Sequence, residues 1–176
     1  MTVLVGYATA HGSTREIARR IGSRMRTAGV EAEVLPLDAV HDVSGYDAFV
    51  VGSAVHGQKW LAPARDFVRR PDLAAGSRPV WLFSVGMPGA LRGPWKRLMD
   101  KELPVIESDL AAPITVRAHR LFSGVIRPGH LNRTGRLRFR LMGCRYGDHR
   151  DWPEIDTWAD QIAAFLPHPS PGPLRD

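Results

Sequence analysis

Short apolar runs alternate with amphipathic segments along most of the chain. Val3–Tyr7 is an apolar run at the start, and Ser13–Ala28 follows it with apolar side chains at every fourth position, namely Ile17, Ile21 and Met25. A short apolar run is typical of a buried strand, and the four-residue spacing is typical of a helix with one buried face. Repetition of this pair of elements predicts an α/β fold with a parallel sheet.

The same pattern, followed to the end of the chain, predicts a doubly wound sheet of five strands with four helices. The predicted strands are Val3–Tyr7, Glu33–Leu37, Asp47–Ser53, Pro79–Val85 and Ile114–Phe122. The predicted helices are Ser13–Ala28, Pro63–Arg70, Pro94–Leu103 and Pro153–Leu166. We therefore expect one domain over residues 1–166, and a proline-rich tail at 167–176 that is disordered.

Composition narrows the class of protein. The longest apolar stretch, Ala48–Val55, is far shorter than the roughly 20 residues that span a bilayer, and no signal-peptide pattern opens the chain. We therefore expect a cytoplasmic protein. The single cysteine, Cys144, excludes an internal disulfide and a cysteine-based zinc site, so we expect a free thiol and no bound metal.

Positive charge is concentrated near the end of the chain. The net charge is +6, and the stretch from Arg127 to Arg150, here called the basic segment, has seven arginines and two histidines against one acid. Its arginines alternate with apolar side chains at Leu137, Phe139, Leu141 and Met142. Such a mixture can cover an anionic membrane face or hold propionate groups, or it can be a solvated loop. The arginines considered for membrane contact are Arg127, Arg133, Arg136, Arg138 and Arg140.

The loop after the first strand, Tyr7-Ala-Thr-Ala-His-Gly-Ser-Thr14, is rich in small and hydroxyl-bearing residues. Hydroxyls of Thr9, Ser13 and Thr14, together with the unpaired N–H groups of a helix start, favour binding of a phosphate. Alternatively, Ser13 and Glu16 form a capping box that satisfies those N–H groups internally. Neither a P-loop nor a GxGxxG dinucleotide motif is present, which leaves a mononucleotide as the candidate. No nucleic-acid recognition motif accompanies the basic charge, so we expect no nucleic-acid partner.

Parallel strands bind ligands beyond their carboxyl ends. The loops that meet there after the third and fourth strands are rich in glycine and carry His56, Trp60 and Met87, which would suit a flat aromatic ligand. His119 falls within the fifth predicted strand, where a structural role is expected.

These motifs resemble a known family. The spacing Thr9-x-x-Gly12-x-Thr14 is similar to the phosphate loop of flavodoxins, which bind FMN on a five-stranded sheet of order 2-1-3-4-5. The usual loop carries a further threonine where this chain has His11. The segments VGYATAHGSTREIA, YDAFVVGSAVHG, DFVRR and DWPEIDTWADQIAAF resemble those of flavodoxin-like, menaquinone-dependent protoporphyrinogen oxidases more closely.

The resemblance implies three sets of residues around FMN. The phosphate would be held by Thr9, His11, Gly12, Ser13 and Thr14. One side of the ring would be lined by Ser53, Ala54, Val55, His56 and Gly57. The remaining edges would be approached by Ser84, Val85, Gly86 and Met87 and by Phe122, Ser123 and Gly124.

Three residues receive specific roles. Gly57 would carry the peptide that, in flavodoxins, reorients towards flavin N5 on reduction, since glycine tolerates both orientations. His56 would relay a proton, or would simply be an exposed loop residue. Trp60 would stack on the flavin, or would pack beneath the following helix.

The resulting hypothesis is an FMN-dependent oxidoreductase similar to protoporphyrinogen oxidase, with electrons passed to a quinone or another acceptor and attachment to the inner membrane face. The alternatives are an electron carrier or FMN reductase with a protein partner, and a non-catalytic binding module of the same fold.

Overall fold

A parallel β-sheet forms the centre of the protein. The computed structural model describes residues 1–74, 77–90, 102–110, 114–131, 133–141 and 143–167. The strands of the main sheet are β1 (Thr2–Ala8), β2 (Glu31–Pro36), β3 (Ala48–His56), β4 (Lys59–Trp60), β5 (Val80–Gly86) and β6 (Val116–Ser123). The order β2-β1-β3-β5-β6 is parallel throughout, and β4 pairs antiparallel with β3. Because β5 and β6 are the fourth and fifth predicted strands, the predicted fold is confirmed.

Helices cover both faces of this sheet. They are α1 (Ser13–Thr27), α2 (Ala62–Val68), α3 (Pro71–Ala74), α4 (Glu102–Leu110), α5 (Arg133–Leu141) and α6 (Trp152–Phe165). Short 3-10 turns lie at Leu37–Ala39, Pro88–Ala90 and Pro128–His130, and a second, two-stranded ribbon pairs β7 (Val125–Ile126) with β8 (Gly147–Asp148).

Alternation along each strand divides the core into two layers. In β1, Val3 and Val5 pack towards α1 and α6, whereas Leu4 packs on the opposite side of the sheet. Ile17 of α1 and Ile155 of α6 are fully buried in the first layer. The apolar spacing that predicts α1 and α6 therefore corresponds to the faces that they bury.

Gly52 allows a large aromatic side chain to fill the first layer. It is paired with Phe83 across β3 and β5, and a Cβ atom at Gly52 would lie 1.9 Å from Phe83 Cζ. Only glycine leaves room for this ring, which is fully buried and packs against Phe122 and Trp158.

Three regions differ from the sequence prediction or fall outside it. The predicted helix Pro94–Leu103 lies mostly outside the described residues, and the described helix here, α4, begins at Glu102 and continues to Leu110. The tail beyond residue 167 also lies outside them. In the basic segment no regular element is predicted from the sequence, but the structure has α5 and β8. Within the described ranges, no helix is long and apolar enough to cross a bilayer.

Candidate functional site

A cavity opens at the carboxyl ends of β1, β3 and β5, where the strand order reverses. Its volume is about 100 Å³, and it is open to solvent on one side. Eleven predicted residues line it, namely Thr9, His11, Ser13, Thr14, Ala54, Val55, His56, Val85, Gly86, Met87 and Gly124. Four loops separated along the chain thus meet at one site, as expected for a doubly wound sheet.

The first loop presents the start of α1 to this cavity. Gly12 stands at the N-cap with φ 95°, and its N–H donates to Thr9 Oγ1 at 2.9 Å. No side chain within the described residues caps α1. Ser13 Oγ instead accepts a hydrogen bond from Val125 N–H at 3.2 Å, and the Glu16 carboxylate pairs with Arg150.

The capping-box alternative is therefore wrong for this helix. Both side chains that would form the box have other partners, so the first N–H groups of α1 remain available to a ligand. Those donors and the positive end of the helix dipole suit an anion. The geometry of the loop supports the phosphate interpretation.

The second loop is a tight β-hairpin. Val55 pairs with Trp60 and His56 with Lys59, which leaves Gly57 and Gln58 as the two turn residues. Their φ angles are 58° and 63°, the left-handed values that two-residue hairpin turns favour. His56 lines the cavity and is exposed, whereas Gly57 lies at the tip of the turn and does not line it.

Trp60 lies in the core, so the stacking role considered for it is wrong. Its side chain is only 2% exposed, and its indole Nε1–H donates to Ser84 Oγ at 2.7 Å. The indole edge also contacts the His119 ring, with centroids 5.8 Å apart. The hairpin directs the Trp60 side chain into the core, which matches the alternative interpretation of a packing residue.

A chain of polar groups runs from buried Ser84 through His119 to Glu107 at the surface. Ser84 Oγ is 2.9 Å from His119 Nε2, and His119 Nδ1 is 3.1 Å from a carboxylate oxygen of Glu107. Burial lowers the pKa of His119, against the opposing effect of the Glu107 charge and hydrogen bond. The neutral ring therefore donates a hydrogen bond from Nδ1 to Glu107 and accepts one at Nε2 from the Ser84 hydroxyl. This position agrees with the structural role expected for His119.

Other predicted residues support the cavity without lining it. Ser53 is fully buried, and its hydroxyl accepts from Leu61 N–H at 3.0 Å and donates to Ala54 O at 2.9 Å. Ser123 Oγ accepts from Gly89 N–H at 2.9 Å. Phe122 is a core side chain, 1% exposed. These residues support the loops from the core side and do not line the cavity.

Several lining residues lie after Gly124, in a part of the chain outside the predicted site. Besides Ala10, these are Val125, Ile126, His130 and Leu131. They lie between β6 and α5, where the β7–β8 ribbon folds back over the first loop. The apolar pair Val125–Ile126, directly after the expected site residue Gly124, was the available sequence signal.

Comparison with known proteins agrees with this site. The family model of the flavodoxin domain matches residues 4–151. The chain belongs to the flavodoxin domain family. A curated relative from Escherichia coli K12, protoporphyrinogen IX dehydrogenase [quinone], is 27% identical over 99 residues, which cover 55% of this chain and 54% of the relative. The chain thus spans about half the length of the curated relatives it matches.

Solved flavodoxins share the fold of this family member. A flavodoxin from the domain Archaea is 18% identical with a TM-score of 0.56, and the match covers 94% of this chain and 98% of that one. A flavodoxin variant from Pseudomonas aeruginosa is 17% identical with a TM-score of 0.57, and the match covers 94% and 99%.

FMN is the cofactor that this family and fold bind. The residues that line the cavity suit both the phosphate and the ring of FMN. Hydroxyls and N–H groups of the first loop suit the terminal phosphate, and Ala54, Val55 and Val85 offer apolar walls to a flat ring.

Proposed function

We propose that this flavodoxin-family protein is an FMN-dependent oxidoreductase that oxidises a porphyrinogen-like substrate and passes the electrons to a quinone. The observation that carries the proposal is an exposed leucine–arginine face on α5, in the segment that closes over the cofactor cavity. The name of the curated Escherichia coli relative supports the same substrate class.

The apolar part of this face is a pair of leucines. Leu137 is 60% exposed and Leu141 is 77% exposed, and their four-residue spacing places them on one side of α5. Phe139 lies on the other side, 3% exposed, with its ring 4.6 Å from that of Tyr146. Phe139 therefore anchors α5 and does not belong to the exposed surface expected from the sequence. Met142 lies outside the described residues.

Arginines surround the leucine pair. Arg133 and Arg140 are exposed on α5, and exposed Arg136 donates from Nε to Leu131 O at 3.0 Å. Arg127 is exposed on the approach to the helix, and the side chain of Arg138 lies outside the described residues. A surface that combines apolar side chains with guanidinium groups suits an anionic lipid surface, where a quinone resides, or an apolar ring with carboxylates.

The cofactor supplies the electron chemistry when it is bound, so the chain has to bind and orient it and admit the second reactant. The first loop holds the phosphate end. His56 is exposed at the cavity wall, where an imidazole can exchange a proton with solvent at neutral pH. We propose His56 as the proton relay.

The test begins with the cofactor. FMN is expected to bind and quench its fluorescence, and riboflavin is expected to bind much more weakly because it lacks the phosphate. The loaded protein is then supplied with protoporphyrinogen and a menaquinone analogue, with anionic vesicles present, and porphyrin formation is followed. Oxidation that requires bound FMN is the supporting outcome.

Variants of α5 test the exposed face. Leu137→Ser with Leu141→Ser, and separately Arg133→Ser with Arg140→Ser, should weaken vesicle binding and slow quinone-coupled turnover without changing FMN affinity. The two arginines together should account for about 2 kcal/mol at low salt, and less at high salt. Arg19→Ser, on the exposed side of α1, is the matched control.

The remaining outcomes identify the alternatives. FMN binding without porphyrinogen oxidation, and with vesicle behaviour equal in all variants, would favour an electron carrier or FMN reductase with a protein partner. A chain that bound no flavin would be a non-catalytic module.

A further inference from the structure

Two histidine rings from distant parts of the chain are stacked at the phosphate end of the cavity. His11 belongs to the first loop and His130 to the Pro128–His130 turn. Their centroids are 4.0 Å apart and their planes differ by 6°, and both rings line the cavity.

The His130 ring is held in a neutral form. Arg127 N–H donates to His130 Nδ1 at 3.3 Å, so that nitrogen carries no proton. Burial lowers the pKa of His130, and the charges of His11 and Arg127 act in the same direction, against the backbone of Val125. His130 is therefore a fixed aromatic surface.

The ring nitrogens of His11, unlike Nδ1 of His130, are available to a ligand. Apart from the stack on His130, its ring makes no polar contact within the described part of the chain. Its nitrogens can donate to a ligand beside the start of α1, at the position where flavodoxins usually carry a threonine hydroxyl. A protonated imidazole would add a charge-assisted hydrogen bond to an anion already held by backbone donors.

We propose that His130 is a positioning residue that holds the His11 ring against the terminal phosphate of FMN, with His11 taking up a proton as the phosphate binds. The inference rests on FMN binding at this cavity. It assigns part of the basic segment to the cofactor, in addition to the surface role proposed for α5.

Apart from histidines, the charged groups around the pair are arginines and carboxylates. Arg15 on α1 and Arg127 are permanent cations, and Arg15 Nη2 lies 3.7 Å from the position of a Cβ atom on Gly12. Glu16 and Asp148 are both paired with Arg150. His56 is a third histidine in the cavity lining, so variants of the pair itself are needed to assign the effect.

The expected pH dependence follows from proton uptake. A dianionic phosphate stabilises the protonated His11 ring, so binding takes up a proton and FMN affinity rises as the pH falls. The second pKa of a phosphate monoester is about 6, so the useful range is about pH 6.5 to 8.5. Riboflavin has no phosphate, and its affinity should not follow this dependence.

The experiment measures the Kd of FMN and of riboflavin across that range by flavin fluorescence. We expect the wild-type ratio of FMN to riboflavin affinity to rise about tenfold from pH 8.5 to 6.5. His11→Thr and His130→Ala should flatten it. His130→Phe should restore it because a phenyl ring can still stack on His11, and His41→Asn, at an exposed histidine elsewhere, should leave it unchanged.

Riboflavin affinity reports whether each variant keeps its cavity. A pH-dependent ratio in His130→Ala equal to that of the wild type, a flat ratio in the wild type, or the same flattening in His130→Phe as in His130→Ala would overturn the inference. In each of these cases FMN binding itself would stand. A wild-type protein that bound no FMN would overturn the proposed function as well.

Discussion

The indole N–H of Trp60 donates a 2.7 Å hydrogen bond to the hydroxyl of Ser84 inside the sheet. This contact joins the hairpin that carries His56 to β5, and both partners are buried. The hairpin that carries His56 is therefore attached to β5 by a hydrogen bond in the core. Removal of Trp60 would take away one of two hydrogen bonds of the Ser84 hydroxyl, whereas removal of Ser84 would leave both Trp60 Nε1 and His119 Nε2 without this partner.

Trp60→Phe should lower the free energy of unfolding by about 1–3 kcal/mol, because it removes one hydrogen bond to buried Ser84 and leaves part of the indole space empty. Ser84→Ala should cost more, because it removes the partner of both Trp60 Nε1 and His119 Nε2, and the double variant should lose less than the sum. Chemical denaturation gives these values. FMN affinity should stay within about twofold of the wild type in Trp60→Phe, because the ring is in the core. A large loss of FMN affinity with unchanged stability would instead indicate that Trp60 contacts the flavin.

His119 should make stability depend on pH. Because burial lowers its pKa from 6.5 in the folded protein, the unfolded chain binds a proton that the folded chain does not once the pH falls below about 6.5. The free energy of unfolding should therefore decrease with falling pH through that range. His130 contributes with the same sign.

The matched measurement compares His119→Gln with His41→Gln by denaturation at several pH values. The first should flatten the decrease, and the second, at an exposed site, should keep it. Carboxylates such as Asp156 also have lowered pKa values, but they lose their contribution only below about pH 3.8, so the two effects are separable.

Gly52→Ala tests the packing of the first core layer. A methyl group placed 1.9 Å from Phe83 must displace that ring, and overpacking of this kind costs about 1–3 kcal/mol. Gly45→Ala is the control, because a Cβ atom there meets nothing within 4 Å. Thermal unfolding of both variants checks the difference, and equal Tm values would contradict the packing argument.

Gly57→Val tests the role of the hairpin turn in redox chemistry. Valine disfavours the φ of 58° found here and restricts any reorientation of the following peptide when FMN is reduced. The midpoint potential of bound FMN should fall by about 30 mV, which corresponds to about 1.4 kcal/mol for a two-electron couple. Gly29→Val is the control, at a glycine with φ 83°, open space around it and no place in the cavity. Unchanged potentials would remove Gly57 from the mechanism.

The strands and helices could be predicted from the sequence because local patterns determine them, whereas the order of the strands was implied by the resemblance to flavodoxins. Apolar runs define the strands, the spacing of Ile17, Ile21 and Met25 defines α1, and the motif of the first loop points to a known strand order. The eleven predicted lining residues could be identified from the sequence because the carboxyl ends of parallel strands meet at one edge of the sheet.

Contacts between distant segments could not be predicted in this way. His56 is the last residue of β3 and Trp60 follows four residues later, and the hairpin turn at Gly57–Gln58 places one at the cavity and the other in the core. The stack of His130 on His11 depends on how the β7–β8 ribbon folds back, which no local pattern specifies. The capping box was locally plausible, but long-range partners occupy both of its side chains.

The docking of α1 onto α6 has a consequence for synthesis of the protein. Arg20 forms a two-pronged pair with Asp156, 136 residues further along the chain, and Arg24 does the same with Asp160. Since α1 begins at the phosphate loop, part of the support of that loop forms only after α6 has left the ribosome. We expect a growing chain to leave the α6-facing side of α1 exposed until then, and to hold FMN firmly only once α6 has docked.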